Sequence, residues 1–233
     1  MNFSIVIPIY NESNNIITLI EEILENLNNL NNFEIIIVDD YSEDNSYEII
    51  KNYLNEKNFK NIKIVKNKVN LGQSHSILAG IKKSKFETII TLDGDLQNNP
   101  KDIPNLLNIY FSDDEISLVG GIRNKRRDKN IKILTSKVAN FTRRLILKDD
   151  CKDTGCALKI FDKNTFLDFP FFNGIHRFLP ALFKGHGKKT IFVNVDHRPR
   201  ISGKSNYGTF KRFFLGIFHM FKVFIIINKI KND

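Results

Sequence analysis

Five short β-branched runs, each followed by a polar cluster and then by a stretch of helical periodicity, constrain this chain more than any other feature. Phe3–Ile7, Glu34–Val38, Ile62–Val65, Thr88–Leu92 and Ile116–Val119 read as strands. Between them Ile16–Leu30, Tyr47–Leu54, Ser74–Lys83 and Ile103–Tyr110 carry apolar residues at helical spacing. Consecutive parallel strands need crossovers, and the crossovers cover both faces of the sheet. The order therefore predicts an α/β fold, a mostly parallel central sheet flanked by helices. Such sheets bind their ligands beyond the carboxyl ends of the strands. Pro8-Ile-Tyr-Asn-Glu12 follows the first strand, Asp39-Asp40 the second, Asn70-Leu-Gly72 the third and Asp93-Gly-Asp95 the fourth. Four strand ends thus predict one acidic cleft.

The 233 residues, 42% of them hydrophobic, suffice for a single catalytic core with a tail, expected as a domain over 1–204 and a basic amphipathic segment over 205–233. The formal charge of +9 is unevenly spread: residues 176–233 hold 12 Lys and Arg against 2 Asp and Glu. That end expects an anionic partner, a phosphate or an acidic membrane surface. Nucleic acid is not expected, because no aromatic nucleic-acid-binding motif accompanies the charge. Cys151 and Cys156 are too few for a disulfide scaffold or a zinc site and read as reduced thiols of a cytoplasmic protein. Met1 runs straight into a strand with no export signal, and Phe213–Ile227, interrupted by Lys222, is short of a spanning helix.

Asp93 and Asp95 stand on one side of an extended tip, with Gly94 allowing close approach to the backbone. Two hard oxygen ligands at that spacing suit Mg²⁺ or Mn²⁺ bridging a diphosphate, although such a turn can also cap the following helix. Asp40 reads as a partner for the base or ribose of a nucleotide or as a helix cap. Pro8, Tyr10 and Glu12 would form the other wall of that pocket, with Tyr10 against the base.

Val6-Ile-Pro-Ile-Tyr-Asn-Glu12, Val38-Asp-Asp-Tyr-Ser-Glu-Asp44, Asn70-Leu-Gly72 and Leu92-Asp-Gly-Asp-Leu-Gln97 together resemble the family 2 glycosyltransferases of the GT-A fold. Asp153–Phe161, His176-Arg-Phe-Leu-Pro180 and His197–Tyr207 narrow the resemblance to the branch that acts on polyprenyl phosphates, dolichyl or undecaprenyl. The resemblance implies Pro8, Tyr10, Glu12, Val38 and Asp40 at the nucleotide, with Asp93, Asp95 and Gln97 around the metal. It further implies Arg198 and Lys204 on the donor diphosphate. Arg123 with Arg127 would hold the acceptor phosphate, a role for which Lys125, Arg126, Arg143 and Arg144 compete. Asp153 would help place the sugar or the acceptor. Many members continue into transmembrane helices, whereas this sequence stops at Asp233.

The activity so implied is transfer of a sugar from a UDP- or GDP-sugar to a polyprenyl phosphate, with inversion at C1. A phosphate monoester has a second pKa near ~6, so its oxygen is already largely anionic and needs no protein base. The rival, a family 2 enzyme acting on a glycan hydroxyl, would need one, from Asp153 or Asp128. A non-catalytic basic module is the remaining reading, and it leaves the acidic cleft without a role. In the tail, Tyr207–Ile227 places Phe210, Phe213, Phe214, Ile217, Phe218, Phe221, Phe224 and Ile225 at helical spacing among Lys211, Arg212 and Lys222. This pattern fits a helix lying peripherally on the inner face of the cytoplasmic membrane. The alternative is a helix packed on the core or in a homo-oligomer.

Overall fold

The computed structural model describes residues 1–30, 32–123, 142–199 and 209–232, with side chains of the last helix described over 215–230. The chain runs β1 (Phe3–Ile9), α1 (Ile16–Asn26), β2 (Phe33–Asp39), α2 (Ser46–Lys57), β3 (Ile62–Lys66), α3 (Gln73–Lys83), β4 (Thr88–Thr91), α4 (Ile103–Tyr110) and β5 (Ile116–Arg123). There follow α5 (residues 142–147), β6 (Lys159–Asp162), α6 (Lys163–Asp168), α7 (Leu179–Gly185), β7 (Lys189–Val195) and α8 (Thr209–Asn232). All five expected strands and all four expected crossover helices are present.

Among the described residues the sheet has seven strands in the order β3-β2-β1-β4-β6-β5-β7. The pairs β1–β2, β2–β3, β1–β4 and β5–β7 are parallel, and β6 runs antiparallel to both β4 and β5. β1 and β2 are buried at every residue, which is why they read as mostly apolar runs and not as alternating strands. One core cluster gathers β1, β2 and β4 with α1 and α4, and a second lies on the opposite face around Ile77, Phe161, Phe166 and Phe183.

β6 and β7 were not legible as strands. β6 is only four residues long, and most of β7 is only half-buried, so neither shows a full strand pattern. Their effect is large, because β6 carries Lys159 to the same sheet edge as the ends of β1, β4 and β5.

α8 is covered on one face and open on the other. Met220, Val223 and Ile227 are buried in the second cluster, and the helix packs along α7. Leu215, Phe218, Phe221, Phe224 and Ile225 face outward, with Phe218 65% and Ile225 67% exposed. Phe210, Phe213 and Phe214 lie outside the described side chains. Among the described residues no helix is long and apolar enough to cross a membrane.

Candidate active site

Proline at the end of a central strand is unusual, since it cannot donate to the ladder. Here the ladder ends first: β1 pairs with β4 only as far as Val6 opposite Thr91, and the Val6 carbonyl accepts from Leu92 N. Pro8, two residues on, faces the same side, where β4 has already turned away. Its missing N–H costs nothing there, and the parting of the two strands opens a cavity of about 350 Å³. Pro8, Gln73, Asp93, Arg123, Asp153, Lys159, His176 and Arg177 all line it.

Asp93-Gly94-Asp95 leaves β4 across the tip of β1. A Cβ on Gly94 would stand 2.7 Å from Cγ2 of Ile9, so only glycine lets the two strand ends lie this close. Asp93 Oδ1 accepts from Gln73 Nε2 at 2.7 Å, and buried Asp95 accepts from the Gln97 backbone N–H at 3.1 Å. The next turn is braced from outside by a bridge between Asn98 and His197 and by Arg198 N donating to the Gln97 carbonyl. Gln97 itself donates Nε2 to the Arg198 carbonyl at 3.4 Å.

At the end of β5, Arg123 meets Asp153 in a two-pronged ion pair, Nε to Oδ2 at 2.6 Å and NH2 to Oδ1 at 2.7 Å. Only 12% and 8% of the two side chains are exposed. Gly155 makes room for the fork, since a Cβ there would lie 2.8 Å from the guanidinium. Lys159, at the start of β6, is buried and donates Nζ to the carbonyls of Thr154 and Cys156. Both cysteines are free and buried, and burial pushes the Cys151 thiol up to about 11 and the Cys156 thiol above its usual range.

Several of the expected contact residues have protein partners in the structure. Val38 is wholly buried beneath α3, where a Cβ added to Gly80 would meet it at 3.1 Å, so its side chain belongs to the core and not to a nucleotide pocket. Asp40 is also buried, and its oxygens accept from Asn67 Nδ2 and from the backbone N–H groups of Leu71 and Gly72 at 2.7–2.9 Å. It ties down the β3–α3 loop from inside, while adjacent Asp39 accepts from the Ser42 backbone and hydroxyl. Arg198 does not open onto the cleft: NH1 holds both carboxylate oxygens of Glu22 at 2.7–2.8 Å, and NH2 donates to Asn99. This fork is spent latching the segment after β7 onto α1. Arg143 is likewise removed as an acceptor-phosphate candidate, because it is buried against Asp149 and the Cys151 carbonyl.

Glu12 caps α1 through its carbonyl, which accepts from Asn15 and Ile16, and its carboxylate accepts from Asn15 Nδ2. Its Cγ lies 3.5 Å from where a Gly94 Cβ would be, so it borders the Asp93–Asp95 loop. Tyr10 is half-buried at the tip of β1. Lys204, Arg127, Lys125, Arg126 and Asp128 lie outside the described residues. The structure therefore joins Pro8, Asp93, Arg123 and Asp153 in one cavity and adds Gln73, Lys159, His176 and Arg177, for which the sequence had suggested no role. His176, Arg177 and Lys159 do stand in two of the motifs that carried the resemblance.

The family model described as glycosyl transferase family 2 matches residues 4–168. The chain is similar to the undecaprenyl-phosphate 4-deoxy-4-formamido-L-arabinose transferases of Pectobacterium carotovorum subsp. carotovorum, 33% identical over 90% of this chain and 64% of that one, and of Shewanella sediminis, 32% identical over 88% and 61%. It thus spans a little under two thirds of the length of these relatives. Among solved structures, glucosyl-3-phosphoglycerate synthase from Mycobacterium tuberculosis, in complex with Mn²⁺, uridine diphosphate and phosphoglyceric acid, superposes with a TM-score of 0.71 at 14% identity, covering 97% of this chain and 78% of that one. That likeness establishes the shared GT-A architecture.

Proposed function

Because the chain belongs to the family 2 glycosyl transferases, we propose that it moves one sugar from a UDP- or GDP-sugar to a polyprenyl phosphate at a membrane surface. The observation that carries this reading is the cavity at the strand ends. It joins a carboxylate of the Asp93–Asp95 loop to a lining that bears Arg123, Lys159 and Arg177. A site that must hold a charged leaving diphosphate and an anionic acceptor together needs both kinds of group. The acceptor named for the relatives supports the lipid phosphate, and the bound uridine diphosphate of the structural neighbour supports the nucleotide donor.

The donor set suits a hard divalent cation, since two carboxylates flank a single glycine. Among the described residues no cluster of three or more His, Cys, Asp and Glu could hold a metal. Asp93 and Asp95 would therefore hold Mg²⁺ or Mn²⁺ with help from the Gln97 amide oxygen and the donor's own oxygens. Such an ion, when bound, neutralises charge on the departing nucleoside diphosphate. Arg123, oriented by Asp153, and Arg177 would position the acceptor phosphate for in-line attack on C1, giving inversion. Asp153 is poorly suited to act as base for a hydroxyl acceptor, because its oxygens already accept from Arg123.

Residues 205–233 are proposed as the membrane-facing tail, with the outward apolar face of α8 lying in the headgroup region. The test is incubation of the protein with radiolabelled UDP- and GDP-sugars and either a polyprenyl phosphate or a glycan acceptor. Label should pass to the lipid phosphate. Transfer to the glycan hydroxyl alone would overturn the assignment.

A further inference from the structure

His176 lines the cavity and has no part in the mechanism above. Its ring is held by Ser74, a buried residue in the first turn of α3, whose hydroxyl oxygen lies 2.7 Å from the Gly174 backbone nitrogen and 2.7 Å from His176 Nδ1. The Gly174 N–H can only donate, so Ser74 Oγ accepts there. The hydroxyl proton then goes to Nδ1. If Nδ1 carried a proton instead, two N–H groups would converge on one oxygen, and the buried hydroxyl hydrogen would be left without an acceptor. The network therefore sets the tautomer, with the ring proton on Nε2.

Among the described residues Nε2 has no protein partner, and it is not sealed off from the cavity. Burial, with the nearby charges of Arg177, Lys159 and His219, holds the His176 pKa well below the usual histidine value, so the ring is neutral. The cavity thus offers a fixed, uncharged donor among three cations. Arg123, Lys159 and Arg177 already answer for anions, and a neutral N–H adds little for a phosphate beside them. For a hydroxyl or ring oxygen it is discriminating, because an analogue lacking that oxygen leaves the donor unpaired.

We propose that His176 is a sugar-recognising residue: Nε2–H, oriented by Ser74, donates to an oxygen of the sugar being transferred. The assignment rests on the transferase reading. It is tested by calorimetric binding of UDP, UDP-glucose, GDP and GDP-mannose to the full chain in Mn²⁺, for the wild type, His176→Ala and His176→Gln. His176→Ala should weaken whichever nucleotide sugar binds by about threefold to tenfold, the range of one neutral hydrogen bond, and leave UDP and GDP unchanged. His176→Gln, whose amide nitrogen reaches the place of Nε2, should restore most of the loss.

Nitrogen-15 spectra of the imidazole should show the proton on Nε2 in the wild type and a mixture of tautomers in Ser74→Ala. These spectra stand whether or not His176→Ala folds. Equal weakening of UDP and UDP-glucose, undiminished nucleotide-sugar binding in His176→Ala, or a proton on Nδ1 would each overturn the His176 assignment and leave the transferase reading intact. Failure of the wild type to bind any of the four ligands would overturn both.

Discussion

Replacing Asp153 by Asn keeps the shape of the side chain and removes the charge opposite Arg123. The pair is made by two bonds of 2.6 and 2.7 Å, with a third from the Arg123 backbone N–H at 3.3 Å, and its side chains are 12% and 8% exposed. Breaking a fully buried pair from one side costs about 3–5 kcal/mol. Here Asn retains one accepting oxygen and the cavity admits water, so the expected loss is smaller, about 1.5–3 kcal/mol. For a chain of this size that corresponds to a fall of roughly 3–12 °C in Tm. The assay is a double-mutant cycle by urea and thermal unfolding with Asp153→Asn, Arg123→Met and the double variant. The double variant should be less destabilised than the sum of the singles by about 1–2 kcal/mol, because it leaves no orphaned charge. Additivity within about 0.5 kcal/mol would refute the pairing as a source of stability. In kinetics on the same set, Arg123→Met should raise the acceptor KM and leave the donor KM unchanged. An equal effect on both would refute its assignment to the acceptor.

Asp93→Asn or Asp95→Asn should reduce transfer by at least about 100-fold, the scale of losing one preorganised charge contact, while the far-ultraviolet dichroism stays unchanged. EDTA should abolish activity and Mn²⁺ restore it; full activity in chelator would remove the metal from the scheme. Because the folded-state pKa of His176 lies below its ordinary 6.5, the unfolded chain binds the extra proton first. The contribution of His176 to stability is therefore complete above pH 6.5 and is lost as the pH falls from there toward the depressed folded value, and this slope should be absent in His176→Gln. Phe218, Phe221 and Ile225 changed together to Ser should abolish binding to anionic liposomes, where each buried phenylalanine contributes ~1.5–3 kcal/mol, and should barely move Tm because all three are exposed. If instead sedimentation shows that the variant has lost a dimer, the outer face of α8 meets a second copy and not a lipid surface.

Much of the sheet could be read from the sequence because β1 and β2 are covered on both faces and so are mostly apolar. The polar clusters that follow them read as strand ends. β6 escaped because four residues that run straight into α6, antiparallel to both neighbouring strands, leave no periodicity to detect. The tail could be recognised as a helix. Which of its apolar residues are covered depends on α7, which takes Met220, Val223 and Ile227 and leaves Phe218, Phe221 and Ile225 outside.

The order of residues along the chain determined which chemical groups stand at the carboxyl edge: Asp93 and Asp95 after β4, Arg123 at the end of β5, and a neighbouring loop with Asp153. Residue type and position after a strand are properties of the sequence, and they sufficed to locate the cleft at the strand ends. The partner of each group was settled only by the fold, because a charge takes whichever counter-charge the packing brings within reach. Arg198 and Arg123 read alike as phosphate forks, yet α1 offers Glu22 to the first, while the loop before β6 holds the second with Asp153 at the cavity wall. Asp40 reads as a ligand-facing acid, yet two backbone N–H groups of the β3–α3 loop claim it from within. His176 lies 102 positions from Ser74, and only the tertiary structure brings the two within one hydrogen bond, which sets where the ring proton resides.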